Sequence, residues 1–381
     1  MQVTQFLNDL VQKYPIHKQL IEDINLDFSQ RLWHEISEKM LSLSSKSDIS
    51  NDDHHLFFST FVQDVESRIS PMVFALLTID EAFRQDNISD SIKFLETNMS
   101  KIEKASKPSQ ILLKIAIAQK YIDSKDLEKA EELLKETEKF LRFSSNLEEI
   151  IFAYFYRTYA NLSFRKGDQK EFYLNALQFL AYSGHLTLTN DEKIEWARRM
   201  GMAVLISKSI YNIAELVDSE IIKSLKNSNN LCIYKLIKAL NGGKIMKLKD
   251  RLEKFKETIK NTIELSENIE LIRTKGIVLA LLELAFSKQK GERNLEFSEI
   301  AKACDISEER VEIIAMKAMS LGLIKGEIDE ISKIFRISWV IPRVLNMDQI
   351  GLIKERIKSW KKNLESYVKN YETIINESNA N

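Results

Sequence analysis

Proline, glycine, cysteine and net charge are all scarce in this 381-residue chain, and each scarcity closes off a class of protein. Only four prolines occur, none of them between Pro108 and Pro342, and only ten glycines. Such a chain lacks the punctuation that many short strands and tight turns need, so long helices are expected over most of its length. The two cysteines, Cys232 and Cys304, cannot build a disulfide framework and fit a reducing compartment. A net charge of −1 exerts no long-range pull on nucleic acid or anionic lipid. No apolar run reaches the length of a membrane span, so the chain reads as soluble and not membrane-bound. Met1 to Tyr14 reads as an amphipathic helix carrying Asp9 and Lys13, not as a basic region before an apolar core, so no signal peptide is expected.

What is present is helical periodicity. Val3 to Leu43 gives two helical patterns around Pro15, followed by a polar loop from Ser44 to Asp53. Phe57, Phe58, Phe61, Val62 and Val65 then form an apolar stripe at helical spacing. Three polar turns, each with an aspartate ahead of an amphipathic helix, follow at Asp86, Asp126 and Asp168, 40 and 42 residues apart. That is the period of a stacked helix pair, which cannot bury both its faces alone and therefore builds a solenoid. The middle pair is clearest: Ile111 to Ile122, then a helix burying Ala130, Leu133, Leu134 and Phe140. Ile150 to Arg165 and Glu171 to Tyr182 repeat it, and the crowding of Phe152, Tyr154, Phe155, Tyr156 and Tyr159 predicts burial between repeats, not base stacking. Weaker copies are expected over Trp196 to Leu225 and Leu231 to Ile259.

Between Asn294 and Val344 the pattern changes to a short strand, two short helices and a β-ribbon, the order of a winged helix. Ser298 and Ser307 stand where they can cap the two helices, Ile306 can staple onto Val311, and Gly322 supplies the stop. Ile324, Gly326 and Ile328, then Phe335, Ile337 and Trp339, alternate with polar residues as strands do, with a turn over Asp329 to Ser332. Leu271 to Phe286 supplies the first helix of the module. A DNA-reading winged helix needs cations on its second capped helix, but this one carries Glu308, Glu309 and Glu312 against Arg310 and Lys317. The expectation is protein contact and no direct nucleic-acid binding.

After Pro342, Ile350, Ile353, Ile357, Trp360, Leu364, Tyr367, Tyr371 and Ile374 are spaced 3, 4, 3, 4, 3, 4 and 3. This is an a/d seam over more than three heptads. A helix of about 28 residues is roughly 40 Å long, too long for a small winged helix to cover, so the seam calls for a partner, or folds back on its own solenoid. No catalytic constellation, metal site or cofactor site is evident. Asp52-Asp53-His54-His55 lacks the spacing of a zinc or calcium site and reads as solvated loop. Gly242-Gly243-Lys244 lacks the strand of a phosphate loop. Lys244 to Lys260 holds seven basic and three acidic residues, a composition that suits contact with RNA or an acidic protein surface but is commoner as a charged helix face in water, which is the expectation here.

The layout resembles the PCI family, shared by the proteasome lid, the signalosome and a translation initiation factor complex. The local sequence Phe297-Ser-Glu-Ile-Ala-Lys302, Val311 to Gly326, Ile328-Asp-Glu330 and Trp339 to Leu345, with Leu32-Trp33-His34, is similar to a PCI subunit of the proteasome lid. The resemblance implies a non-catalytic scaffold that serves ubiquitin-dependent proteolysis in cytoplasm and nucleus, in a hetero-oligomer with other PCI and lid subunits. It also implies that winged helices align edge to edge, that solenoids radiate outward, and that C-terminal helices gather in a bundle. The expected architecture is all-α: a TPR-like solenoid over residues 1–268, a winged-helix module with a small β-wing over 269–345, and a C-terminal heptad helix over 346–381. Ile324, Ile328, Phe335 and Ile337 are the expected wing core or edge residues. Ile350, Ile353, Ile357, Trp360, Leu364, Tyr367 and Tyr371 are the expected bundle residues.

Overall fold

The computed structural model describes residues 2–341 apart from breaks at 45, 47–48, 103–105, 145–146, 186–187, 228–229, 244 and 289–292, and beyond them residues 351, 354–355 and 357–368. These form two compact units, residues 1–188 and 189–381. Helices dominate both units, with one small sheet in the second.

The first unit opens with three helices where the periodicity gave two: Gln2–Lys13, Lys18–Gln30 and Trp33–Ser44. The second ends because Arg31 turns left-handed at φ 60°, which lets the Leu32 N–H reach back to the Asp27 carbonyl at 3.0 Å. The expected loop from Ser44 to Asp53 also closes early. Ser50 accepts a hydrogen bond from the Asp53 N–H, and the helix Asn51–Phe57 starts there. Phe57, Phe58, Phe61, Val62 and Val65 are all buried, as the stripe requires.

The repeats follow. Lys107–Asp123 pairs with Leu127–Phe143, and Glu149–Lys166 with Gln169–Tyr182. The turn aspartates act as helix caps in both: Asp126 accepts from the Lys129 N–H, and Asp168 from those of Lys170 and Glu171. In the earlier copy the periodic aspartate is not the cap. Asn87, one residue after Asp86, accepts from the Ser89 N–H ahead of helix Ile88–Ile102. On Leu127–Phe143 the buried face is Ala130, Leu134, Thr137 and Leu141, while Leu133 and Phe140 lie half-buried at its margin. Of the five crowded aromatics, Phe155 is buried and the others are half-buried. Phe152 and Tyr156 stack on Tyr182 at 5.3 and 5.8 Å, so the repeat's own second helix takes up their faces.

The second unit begins with Asn190–Ile206, whose Thr189 and Glu192 make a reciprocal capping box. The expected copy at Trp196 to Leu225 breaks after Ile206 into the short helices Ala214–Asp218 and Glu220–Lys223. Leu231–Asn241 and Ile245–Lys254 follow as a pair. Residues 189–268 therefore belong to one compact unit with the winged-helix elements, whereas the change of sequence pattern falls near residue 268.

The winged-helix order is Ile269–Ser287, β1 (Asn294–Glu296), Phe297–Cys304, Val311–Ser320, β2 (Ile324–Asp329) and β3 (Ile334–Val340). Ile269–Ser287 passes close to Ile245–Lys254 at Gly276, where a Cβ would lie 2.3 Å from Leu248. Two expected caps are not made. β1 runs straight into Phe297, whose side chain is buried and whose N–H donates to the Lys333 carbonyl at 2.9 Å, so the sheet anchors the helix start. Ser298 instead donates to the Glu296 carboxylate. Ser307 precedes a short 3-10 turn, Glu308–Arg310, and contributes its carbonyl, not its hydroxyl. Gly322 does close Val311–Ser320: at φ 68° it lets the Leu323 N–H return to the Ala318 carbonyl.

Candidate assembly surfaces

The sheet order is β1-β3-β2, antiparallel throughout, so β3 is internal and β2 presents an outer edge. Ile324, Phe335 and Ile337 are buried, Phe335 completely, and Ile328 is half-buried. Phe335 and Ile337 sit on the internal strand and hold the sheet to the helices. Ile324 and Ile328 sit on β2, beside the row of outward backbone groups that a further strand would need. The register slips between Lys325 and Gly326, where Ser338 is the extra residue and donates to the Lys325 carbonyl. The Lys325 ammonium lies 5.3 Å over the half-exposed Trp339 ring. At the tip, Asp329 accepts from the Ser332 N–H, which with the Arg336 guanidinium holds its carboxyl below the usual range. The tip residue Ile331 is 98% exposed.

The helix Val311–Ser320 also leaves apolar groups in water. Val311, Ile314, Ala315 and Ala318 form its buried stripe, while Ile313 and Met316 are 59% and 47% exposed. Sequence reasoning passed over this pair because the helix is apolar nearly all round. Its trace is an i, i+3 pair falling off the core stripe. Glu308, Glu309 and Arg310 are exposed beside it.

Residues 357–368 are helical. Ile357, Trp360, Leu364 and Tyr367 line up on one face and are 47–66% exposed, so within the described residues the seam is uncovered. Ile350, Ile353 and Tyr371, and Ile374 after them, lie outside the described residues. Lys358 and Glu355, at 2.9 Å, pair off the seam.

Elsewhere the polar clusters are structural. Asp53 and His54 are buried, not solvated as expected, because their segment is a helix. Asp53 takes hydrogen bonds from Lys13 and Tyr14 at 2.7 and 2.6 Å, and the Lys13 bond is the main reason its carboxyl titrates below the usual range. His54 and His55 both turn Nδ1 to the buried Glu81 carboxylate, at 3.2 and 2.7 Å. Burial pushes Glu81 up, but the two histidine contacts outweigh it and leave its carboxyl below the usual range. Among the described residues no group of His, Cys, Asp and Glu is arranged to hold a metal ion. Both thiols are buried, which pushes Cys232 up to about 11 and Cys304 to about 12, so neither is a ready thiolate. No helix among the described residues is long and apolar enough to cross a membrane.

The family of PSD13 N-terminal repeats matches residues 20–237, and the PCI domain family matches residues 252–339. The 26S proteasome non-ATPase regulatory subunit 13 of Dictyostelium discoideum is 30% identical over 363 residues, 93% of each chain. The 26S proteasome regulatory subunit RPN9 of Saccharomyces cerevisiae is 26% identical over 93% of this chain and 92% of its own. Eukaryotic translation initiation factor 3 subunit M of Coccidioides immitis is 24% identical over 54% of this chain and 43% of its own.

Proposed function

The chain belongs to the family of proteasome regulatory subunit 13 proteins, and from that premise we propose that it is a non-catalytic scaffold of the 26S proteasome lid, supporting ubiquitin-dependent proteolysis in cytoplasm and nucleus. The observation that carries this reading is continuous similarity through both the repeats and the PCI domain, over 93% of the chain. An initiation-factor assembly, the second reading, rests on a match to about half the chain, 54%.

The two surfaces supply complementary means of assembly. The outer edge of β2 offers backbone donors and acceptors to a neighbour's strand, a directional contact. The open seam through Ile357, Trp360, Leu364 and Tyr367 offers an apolar stripe that only other helices can cover. Partners are other PCI and lid subunits in a hetero-oligomer, with no nucleic acid or membrane. The test is an affinity pull-down of the tagged chain from its own cells, with and without residues 347–381, read by mass spectrometry. Lid subunits recovered with the full chain and lost with the truncation are the expected result. Initiation-factor or signalosome subunits in their place would overturn the assignment.

A further inference from the structure

A cleft of about 860 Å³ in the second unit lies between the helices Ile245–Lys254 and Lys256–Asn261 on one side and Ile269–Ser287 with residues 305–310 on the other. It is separate from the β2 edge and from the heptad seam. Leu252, Ile259, Ile277 and Ile306 line its floor, the last two half-buried and so still open to contact. Five basic and three acidic residues line the cleft, a net excess of two positive charges. Two of the acids are already matched: Asp305 pairs with Lys249, and Glu270 with Arg273 at 2.9 Å. Glu253 remains, against Lys256, Lys260 and Arg310, three exposed cations with no ion pair to any described residue.

We infer that this cleft docks an acidic amphipathic peptide segment of a partner protein. The apolar floor takes the segment's aliphatic side chains, and the cations on the two walls take its carboxylates. Lys256 and Lys260 stand one helical turn apart while Arg310 comes from the opposite wall, so the charges are spread along the cleft. That spacing suits carboxylates distributed along a chain better than one compact phosphate. No aromatic side chain lines the cleft, and a single-stranded nucleic acid would need such platforms for its bases. The basic run from residue 244 to 260 is thus not merely a solvated face: part of it forms one wall of a groove whose floor is apolar.

The test uses the full isolated chain and does not depend on incorporation into any assembly, so it can fail while the scaffold reading stands. Fluorescence anisotropy would follow a labelled acidic peptide, leucines at i, i+3 and i+4 with glutamates between, against its lysine counterpart and a labelled single-stranded oligonucleotide. Saturable binding of the acidic peptide alone, weakened by salt, is expected. The variant Lys256→Glu, Lys260→Glu, Arg310→Glu should bind it about tenfold or more weakly, with an unchanged circular dichroism spectrum because all three side chains are exposed. A benzophenone cross-linker placed at Ile306 gives a second readout and should capture the acidic peptide. Equal binding by the variant, equal binding of the lysine peptide, preference for the oligonucleotide, or no cross-link from Ile306 would each overturn the proposal.

Discussion

Among the described residues Lys275 is the most deeply buried lysine, with 2% of its surface exposed. Its ammonium donates to the carbonyls of Val204 and Ser207, at 2.6 and 2.9 Å, and lies 5.3 Å over the Tyr211 ring. Those carbonyls end the helix Asn190–Ile206, so the lysine caps that helix from Ile269–Ser287. Burial lowers its pKa to about 7, and a neutral amine still has two N–H groups for two carbonyls. Between about pH 7 and the unfolded value of 10.5 the folded chain therefore holds fewer protons than the unfolded one. This group's contribution to stability accordingly rises with pH across that window. Lys275→Met, which orphans both carbonyls, should destabilise the chain by about 2 kcal/mol. The loss, measured by denaturant unfolding, should be larger at pH 9 than at pH 6. An equal loss at both would mean that the lysine stays charged. Neither this cap nor the Glu81 grip on His54 and His55 was legible in the sequence. The partners stand 68–71 and 26–27 residues apart, and no local period links them.

At the scale of elements, the sequence was read best where one face is plainly apolar. Gln169–Tyr182 and Lys107–Asp123 lie where the pattern put them, and the left-handed Gly322 ends its helix as expected. Caps were read less well, because a side-chain cap is one of several ways to satisfy a helix start. At Phe297 the sheet does it instead. The heptad helix is a case where single-chain energetics and assembly energetics separate. Ile357 and Leu364 are 58% and 47% exposed, so Ile357→Asp with Leu364→Asp should leave thermal unfolding nearly unchanged, within about 0.5 kcal/mol per site. In a helix bundle the same charges would be buried without partners at a cost of several kcal/mol. Size-exclusion chromatography of the reconstituted complex should show the double variant as free chain. A large fall in melting temperature would instead mean that the seam packs on its own body.

For the whole molecule, charge bears on whether the winged helix binds nucleic acid. Glu308, Glu309 and Glu312 crowd the start of the helix Val311–Ser320, and the wing sets Glu327, Asp329 and Glu330 against Lys325, Lys333 and Arg336, so neither place offers the net positive charge that grips a phosphate backbone. Filter binding or anisotropy with duplex DNA and single-stranded RNA should find no affinity tighter than about 1 μM at physiological salt. Sub-micromolar, salt-sensitive binding would reverse that reading. By itself the sequence determined the helical class, the repeat of about forty residues, the order of the winged helix and the periodicity of the tail. All of these follow from apolar spacing along a single chain. The tertiary structure alone decided that β3 is the internal strand, that a supposed loop histidine is buried on a glutamate, that Lys275 caps a distant helix, and that Lys256, Lys260 and Arg310 flank one cleft. Each of these depends on which surfaces pack against each other, and sequence spacing carries that information only within an element, not between elements.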